Sequence, residues 1–351
     1  MKKILFFIII LILTAGGYHL LKPDETKQLT GTNVKFGVLT DLTGPGSYWG
    51  SATQVGVNLA VKELADEQIF VQPVFEDYQL DSTKAASAAQ KLASLDKVDA
   101  MYVDLNIGAL TAGSVLHDTN ILYLYDAAVE SPLAPSPTRF KTYLDFKEGC
   151  RALATQFKND GIKTMGVLKV VSESGKLCAK GVQDVFGEST VVESYNMGDS
   201  DFRTQLLKLK SKNAQAFINV GFEGDIVNTL NAMKLSDFKV PFGTVTDSVT
   251  PKVISMYGEE MKGSLSFGFG NVDTDLVDKL VKENGGKELS SNYGAALGYI
   301  HTKQIAKALA VCKKEIECAT KAFASSPRED SIGFQSYSNN IAQFTMDIKK
   351  Y

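Results

Sequence analysis

The sequence is short of the residues that most enzymes and nucleic-acid binders depend on. It has three histidines and one tryptophan in 351 residues. No Gly-x-Ser-x-Gly element is present to hold a serine nucleophile on a strained strand-to-helix turn. A phosphate loop is also missing, because Gly175-Lys176 has neither the earlier glycine nor the following Ser or Thr. Gly268 and Gly270 form a Gly-x-Gly without the third glycine of a dinucleotide fingerprint, late in a strand instead of before a helix. His117 and His301 are isolated on helical stretches, where structural roles outnumber catalytic ones. There is no Lys/Arg run or basic stripe, and the formal net charge is -3, which excludes the electrostatic footprint of nucleic-acid binding. No catalytic residue, metal site or cofactor is expected.

The composition is that of an ordinary globular protein, 44% hydrophobic and 22% charged, and the length suggests two domains. Lys2 and Lys3 precede an unbroken apolar run over 4–13, followed by Ala15, Gly16 and Gly17, the pattern of a secretory signal with cleavage after Gly17. Tyr18, Leu20 and Leu21 prolong that run, so an uncleaved membrane anchor is the alternative. Either way the chain is expected outside the cytoplasm, where its cysteines meet an oxidising compartment. Cys150 with Cys178 and Cys312 with Cys318 are the simplest pairings, although four cysteines allow three connectivities. Their spacing matches no zinc pattern.

After a polar segment over 18–32 the chain alternates strand and helix. Strands are expected at 34–39, 71–75, 100–103 and 121–125, with helices at 83–95 and 108–117 and one opening on a Ser51/Gln54 capping box. The pattern restarts near 143–148. It continues with helices over 147–159, 175–186, 201–211 and 224–235, and strands at 165–171, 190–195 and 214–220 and near Val240 and Ser264. Helices follow over 275–323, then a last strand at 341–348. Such alternation predicts an α/β protein of two Rossmann-like lobes with parallel sheets. Pro73 implies that its strand is irregular or near an edge.

Ligands of open parallel sheets bind beyond the carboxyl ends of the strands. Those ends hold Trp49, Asp104, Gly108, Asp126, Gly175 and the stretches 221–224 and 244–248. Gly108 and Gly175 would let a ligand approach backbone N–H groups, and Trp49 could wall an apolar portion. Each has a plainer role: glycines serve turn geometry, lone aromatics fill cores, and strand-end acids cap helices.

Leu42-Thr43-Gly44-Pro45 followed by Trp49-Gly50, Glu76-Asp77 with Asp81 before an Ala-rich helix, and Asp199-Ser200-Asp201-Phe202 leading into 206–210 carry a resemblance. In register from Val34 to Tyr351, the chain resembles the periplasmic solute-binding proteins of the leucine/isoleucine/valine type. The resemblance implies a hinged type I fold with lobe 1 over 33–145 and 271–325, lobe 2 over 146–270, and a carboxyl-terminal segment, 326–351, crossing to lobe 2. It implies crossings near 143–146, near 268–272 and near the carboxyl terminus. It further implies a monomer that closes on a small molecule, an amino acid, amide or relative, and delivers it to an ABC permease. The alternative is a receptor that reports ligand to a signalling partner without transport.

The same resemblance places ligand contacts at Trp49, Asn106, Ile107, Gly108, Ala127, Val129, Ser174, Phe222, Glu223 and Asp247. Several depart from the family. Ile107 and Val129 stand where relatives carry hydroxyls for the ligand carboxylate, and Ser174 replaces an aromatic. Asp247 retains the acid that holds an amine. The expected ligand therefore presents a cationic or amide group to Asp247 or Glu223, and a less polar part to Trp49, Ile107 and Phe222.

Overall fold

A computed structural model describes residues 31–133, 136–326 and 332–351. The expected signal, 1–17, and nearly all of 18–32 lie outside the described residues. Among those described, no helix is long and apolar enough to cross a membrane.

The chain opens with β1 (Thr32–Thr40), α1 (Ser47–Asp66), β2 (Ile69–Asp77), α2 (Ser82–Gln90), β3 (Ala100–Asp104), α3 (Asn106–Val115), β4 (Leu122–Asp126) and β5 (Arg139–Lys141). A second series follows with α4 (Phe146–Asn159), β6 (Met165–Val170), α5 (Glu173–Phe186), β7 (Thr190–Tyr195), α6 (Arg203–Ser211) and β8 (Ala216–Ile218). It ends with α7 (Glu223–Leu235), β9 (Phe242–Val245), α8 (Pro251–Tyr257) and β10 (Leu265–Phe269). Then come α9 (Thr274–Glu283), α10 (Asn292–Val311), α11 (Ile316–Ala324), β11 (Phe334–Ser338), β12 (Ile341–Phe344) and β13 (Met346–Lys350).

These strands form two sheets, ordered β11-β12-β5-β4-β3-β1-β2 and β13-β10-β9-β8-β6-β7. The pairings among β1 to β5 and among β6 to β10 are parallel, so both sheets need helices on each face. That is why β1, second from one edge, is buried continuously from Phe36 to Thr40 and does not alternate. Pro73 sits on β2, the edge strand, where a missing N–H leaves no neighbour unpaired.

Two expectations need correction. The first helix does not open on Ser51. The Asp41 carboxylate accepts from Gly44 N at 2.5 Å and from Gly46 N at 2.8 Å, which folds the Gly-Pro-Gly turn and launches α1 a full turn earlier. Ser51 lies exposed inside the helix. The single last strand expected over 341–348 is two strands: β12 ends the first sheet's parallel set at Phe344, and after Thr345 the chain enters the second sheet as β13, antiparallel to β10. The segment 326–351 thus contributes β11 and β12 to lobe 1 and only β13 to lobe 2.

Disulfides join Cys150 to Cys178 and Cys312 to Cys318. The first ties α4 to α5, whose backbones approach so closely that a Cβ on Gly181 would lie 2.1 Å from the Lys147 carbonyl oxygen. Cross-linking that loop restricts the unfolded chain by about 3 kcal/mol. Replacing Cys150 and Cys178 together with Ala is expected to lower stability by about that amount, measured by denaturant unfolding, and to remove most of the protein's sensitivity to reductant.

Candidate ligand-binding site

The carboxyl ends of both sheets face one cavity of about 810 Å³, counting the part open to solvent. Its size suits a small organic molecule. Each wall follows from how its strand ends. Beyond β1, the Asp41 turn delivers Tyr48 and Trp49 on the first turn of α1. Beyond β3, Leu105 has a φ of 60°, a left-handed value costly for a branched side chain. It turns the chain so that Leu105 N–H donates to the Asp126 carbonyl at 2.8 Å, and Asn106 Oδ1 accepts from Ala128 N at 2.8 Å. That clamp fixes Asn106, Ile107, Ala127 and Ala128 along one wall.

Lobe 2 supplies the opposite wall. Ser172 caps α5 by accepting from Gly175 N, and its hydroxyl is hydrogen-bonded to that of Ser174 at 2.9 Å. Beyond β8, Asp225 Oδ2 accepts from Phe222 N at 2.9 Å and holds the start of α7, with Phe222 on the wall. Beyond β9, Asp247 and Ser248 complete it, the Ser248 hydroxyl donating to the Gly221 carbonyl at 2.6 Å.

Between the walls lies the first interlobe connection. Tyr143 packs edge-on to Trp49, with ring centroids 5.7 Å apart, and its hydroxyl donates to Asp247 Oδ2 at 2.5 Å. The connecting segment therefore holds the acid. Asp247 Oδ1 is buried without a partner, as is Trp49 Nε1. Burial pushes the Asp247 carboxyl up to about 7; Asp126 adds to the rise, and the Tyr143 hydrogen bond and Lys349 oppose it.

Two further acids line the cavity, each hydrogen-bonded within the protein. Asp126 takes hydroxyl hydrogen bonds from Thr142 at 2.5 Å and from Tyr102, and its Oδ1 lies 3.2 Å from His301 Nε2. Burial raises the Asp225 carboxyl above its usual range, opposed by the Phe222 N–H. Asp104 lies deeper and off the wall, bonded to the Thr40 hydroxyl; burial raises its carboxyl far above the ordinary value. Among the described residues no Lys, Arg or His lines the cavity, and no group of His, Cys, Asp and Glu could hold a metal ion.

Of the expected contacts, Trp49, Asn106, Ile107, Ala127, Ser174, Phe222 and Asp247 converge on this cavity. Three do not. Gly108 packs on the core side of α3, where an added Cβ would stand 2.9 Å from Val103 Cγ1 and 3.0 Å from the Tyr78 hydroxyl. Val129 is buried in the lobe 1 core among Tyr78, Met101 and Tyr125. Glu223 points to Lys252, 3.1 Å away. The reading from sequence missed Tyr48, Tyr143, Phe146, Met197 and Asp225 as wall residues. Tyr143 and Phe146 had a signal: two aromatics sit within the segment expected to cross between lobes.

Two parallel α/β lobes, joined by three connections and enclosing an apolar cavity with one unpaired acid, define a type I periplasmic binding fold. The chain belongs to the periplasmic binding protein family, whose model matches residues 33–336. Among proteins of curated function, none matches this sequence. Solved structures similar to it include a type 1 periplasmic binding protein of Bordetella pertussis, with a TM-score of 0.80 and 16% identity over 91% of this chain and 96% of that one. A leucine-binding protein, LivK, of Thermotoga maritima has a TM-score of 0.78 and 20% identity over 91% and 95%. An ABC-transporter solute-binding protein of R. palustris in complex with benzoate has a TM-score of 0.79 and 14% identity over 91% and 93%.

Proposed function

We propose that the protein is the extracytoplasmic solute-binding component of an ABC importer, closing its two lobes on a small organic molecule and presenting it to a membrane permease. The observation that carries this reading is the cavity between the sheets: both lobes line it, and the buried Asp247 Oδ1 on its wall has no partner within the protein. A buried carboxylate oxygen without a hydrogen bond is costly, and a ligand donor removes the cost. In this reading lobe 1 comprises 33–145, 271–325 and the strands β11 and β12. Lobe 2 comprises 146–270 with β13.

Only contacts to both lobes favour the closed state, because a ligand touching one lobe binds open and closed forms alike. Tyr143 and Asp247 supply that link, since the hydroxyl of the hinge residue is bonded to the acid of lobe 2. The signal-like 1–17 agrees with export, and the family's binding role agrees with a protein that carries out no chemistry itself.

A thermal-shift screen of amino acids, amides, polyamines and small organic acids tests the reading. A ligand held at a hundred times its Kd is expected to raise Tm by about 5 °C. No shift across those classes would count against solute binding.

A further inference from the structure

We infer that the cleft selects organic cations that lack a carboxylate, an ammonium group on an apolar or aromatic body, and discriminates against amino acids and organic acids. The inference rests on the solute-binding reading above and names its ligand class.

Charge is the first ground. Asp126, Asp225 and Asp247 line the cavity, and among the described residues no Lys, Arg or His does. An ammonium group beside Asp247 makes a neutral buried pair. An amino acid places its carboxylate in the same enclosure with no cation to meet it, and a simple organic anion adds a charge that nothing balances. Removing such a carboxylate from water without compensation costs several kcal/mol.

Hydrogen bonding is the second ground, and it is independent of charge. Two backbone donors behind the lobe 1 wall are engaged within the protein. Ala128 N–H goes to Asn106 Oδ1 and Leu105 N–H to the Asp126 carbonyl. Across the cavity the Ser248 hydroxyl donates to the Gly221 carbonyl, and the Ser172 and Ser174 hydroxyls engage each other. Among the described side chains of the wall, the buried donor left without a partner is Trp49 Nε1–H, which suits one neutral acceptor such as a ligand hydroxyl or carbonyl. One neutral side-chain donor does not replace the cationic side chain that commonly holds a buried carboxylate. The complementary vacancy is an acceptor, Asp247 Oδ1, on a side chain 6% exposed.

The walls supply the third ground. Tyr48, Trp49, Tyr143, Phe146 and Phe222 surround the cavity. Aromatic faces attract a desolvated cation and accept an apolar body equally well.

Matched probes separate the ligand classes. Phenethylamine is phenylalanine without its carboxylate, isoamylamine is leucine without its carboxylate, and benzoate carries only the acid. Isothermal titration calorimetry of the whole protein at pH 8 is expected to show both amines binding at least tenfold more tightly than their parent amino acids, with no heat from benzoate. Asp247→Asn, which keeps the side chain's shape, is expected to weaken the amines at least 50-fold while leaving the circular dichroism spectrum unchanged. Tighter binding of phenylalanine, leucine or benzoate than of the amines overturns the cation class but leaves solute binding standing. Absence of heat from both amines overturns the inference as well, and silence from all five probes would count against the solute-binding reading too.

Discussion

Asp247→Asn is expected to lose the ligand and gain stability. In the ligand-free protein the Asp247 carboxyl is buried, bonded on one oxygen to Tyr143 and unpartnered on the other, and held at about 7 against an ordinary value near 4. Between those two values the folded state holds a proton that the unfolded chain has released. Its contribution to stability therefore falls as pH rises through that window, and is flat below and above it. The groups facing it are Asp126, Lys349 and the hydroxyls of Tyr143, Tyr48, Tyr293 and Tyr351. All four tyrosines are raised above their usual value, so none titrates in this range.

An asparagine can still accept from Tyr143 but never ionises. Variant and wild type should unfold alike near pH 4, and the variant should be more stable by on the order of 2 kcal/mol at pH 8. Paired urea titrations at the two pH values measure the difference. An equal stability gap at both would show that the Asp247 proton is not what separates them. A stability gain joined to lost binding is the mark of a residue kept for ligand at the expense of the empty fold.

Much of the architecture was legible because parallel sheets bury both faces of their inner strands. Their sequences are short apolar runs, and the carboxyl end of each run is where polar and small residues begin. That logic pointed to Trp49 and to the stretches 221–224 and 244–248, and the family resemblance singled out Asn106, Ile107 and Asp247. It failed where a neighbour decided the outcome. Gly108 reads as a ligand-facing turn glycine, but Tyr78 from another segment fills the space beside it. Glu223 reads as a second acid for the ligand, but Lys252, from α8, claims it. The break between β12 and β13 carries no glycine or proline: Thr345 separates two runs of similar pattern, and only the positions of the two sheets reveal that the chain changes partner there. Tyr143 was legible, through the resemblance, as part of a crossing and not as a wall, because its place on the wall depends on Trp49 and Asp247 arriving from different lobes.

Gly56→Val should be among the most damaging single substitutions outside the cavity, and it tests how the cavity is held. α1 buries Ala52, Thr53, Gly56, Val57 and Ala60, a narrow face of mostly small side chains, against α10. The two helices approach until a Cβ on Gly56 would lie 1.9 Å from the Ala295 carbonyl oxygen and 2.7 Å from Tyr299 N. Those are backbone atoms, which cannot rotate away as a side chain could, so the helices must separate. The ion pair of Glu63 with Lys303 at 2.8 Å spans the same interface and would be stretched with it.

Overpacking at a site with no flexible neighbour is expected to cost about 3 kcal/mol or more. The loss should extend to ligand, because the first turn of α1 carries Tyr48 and Trp49 into the cavity, and a shifted helix misplaces both. Gly224→Ala is the control: nothing lies within 4 Å of its added Cβ, and it sits inside α7, where alanine favours helix by about 0.5–1 kcal/mol. Thermal unfolding should separate the two variants by well over 5 °C. If Gly56→Val instead melted with the wild type while binding was unchanged, the close approach of α1 and α10 could not be what fixes the lobe 1 wall.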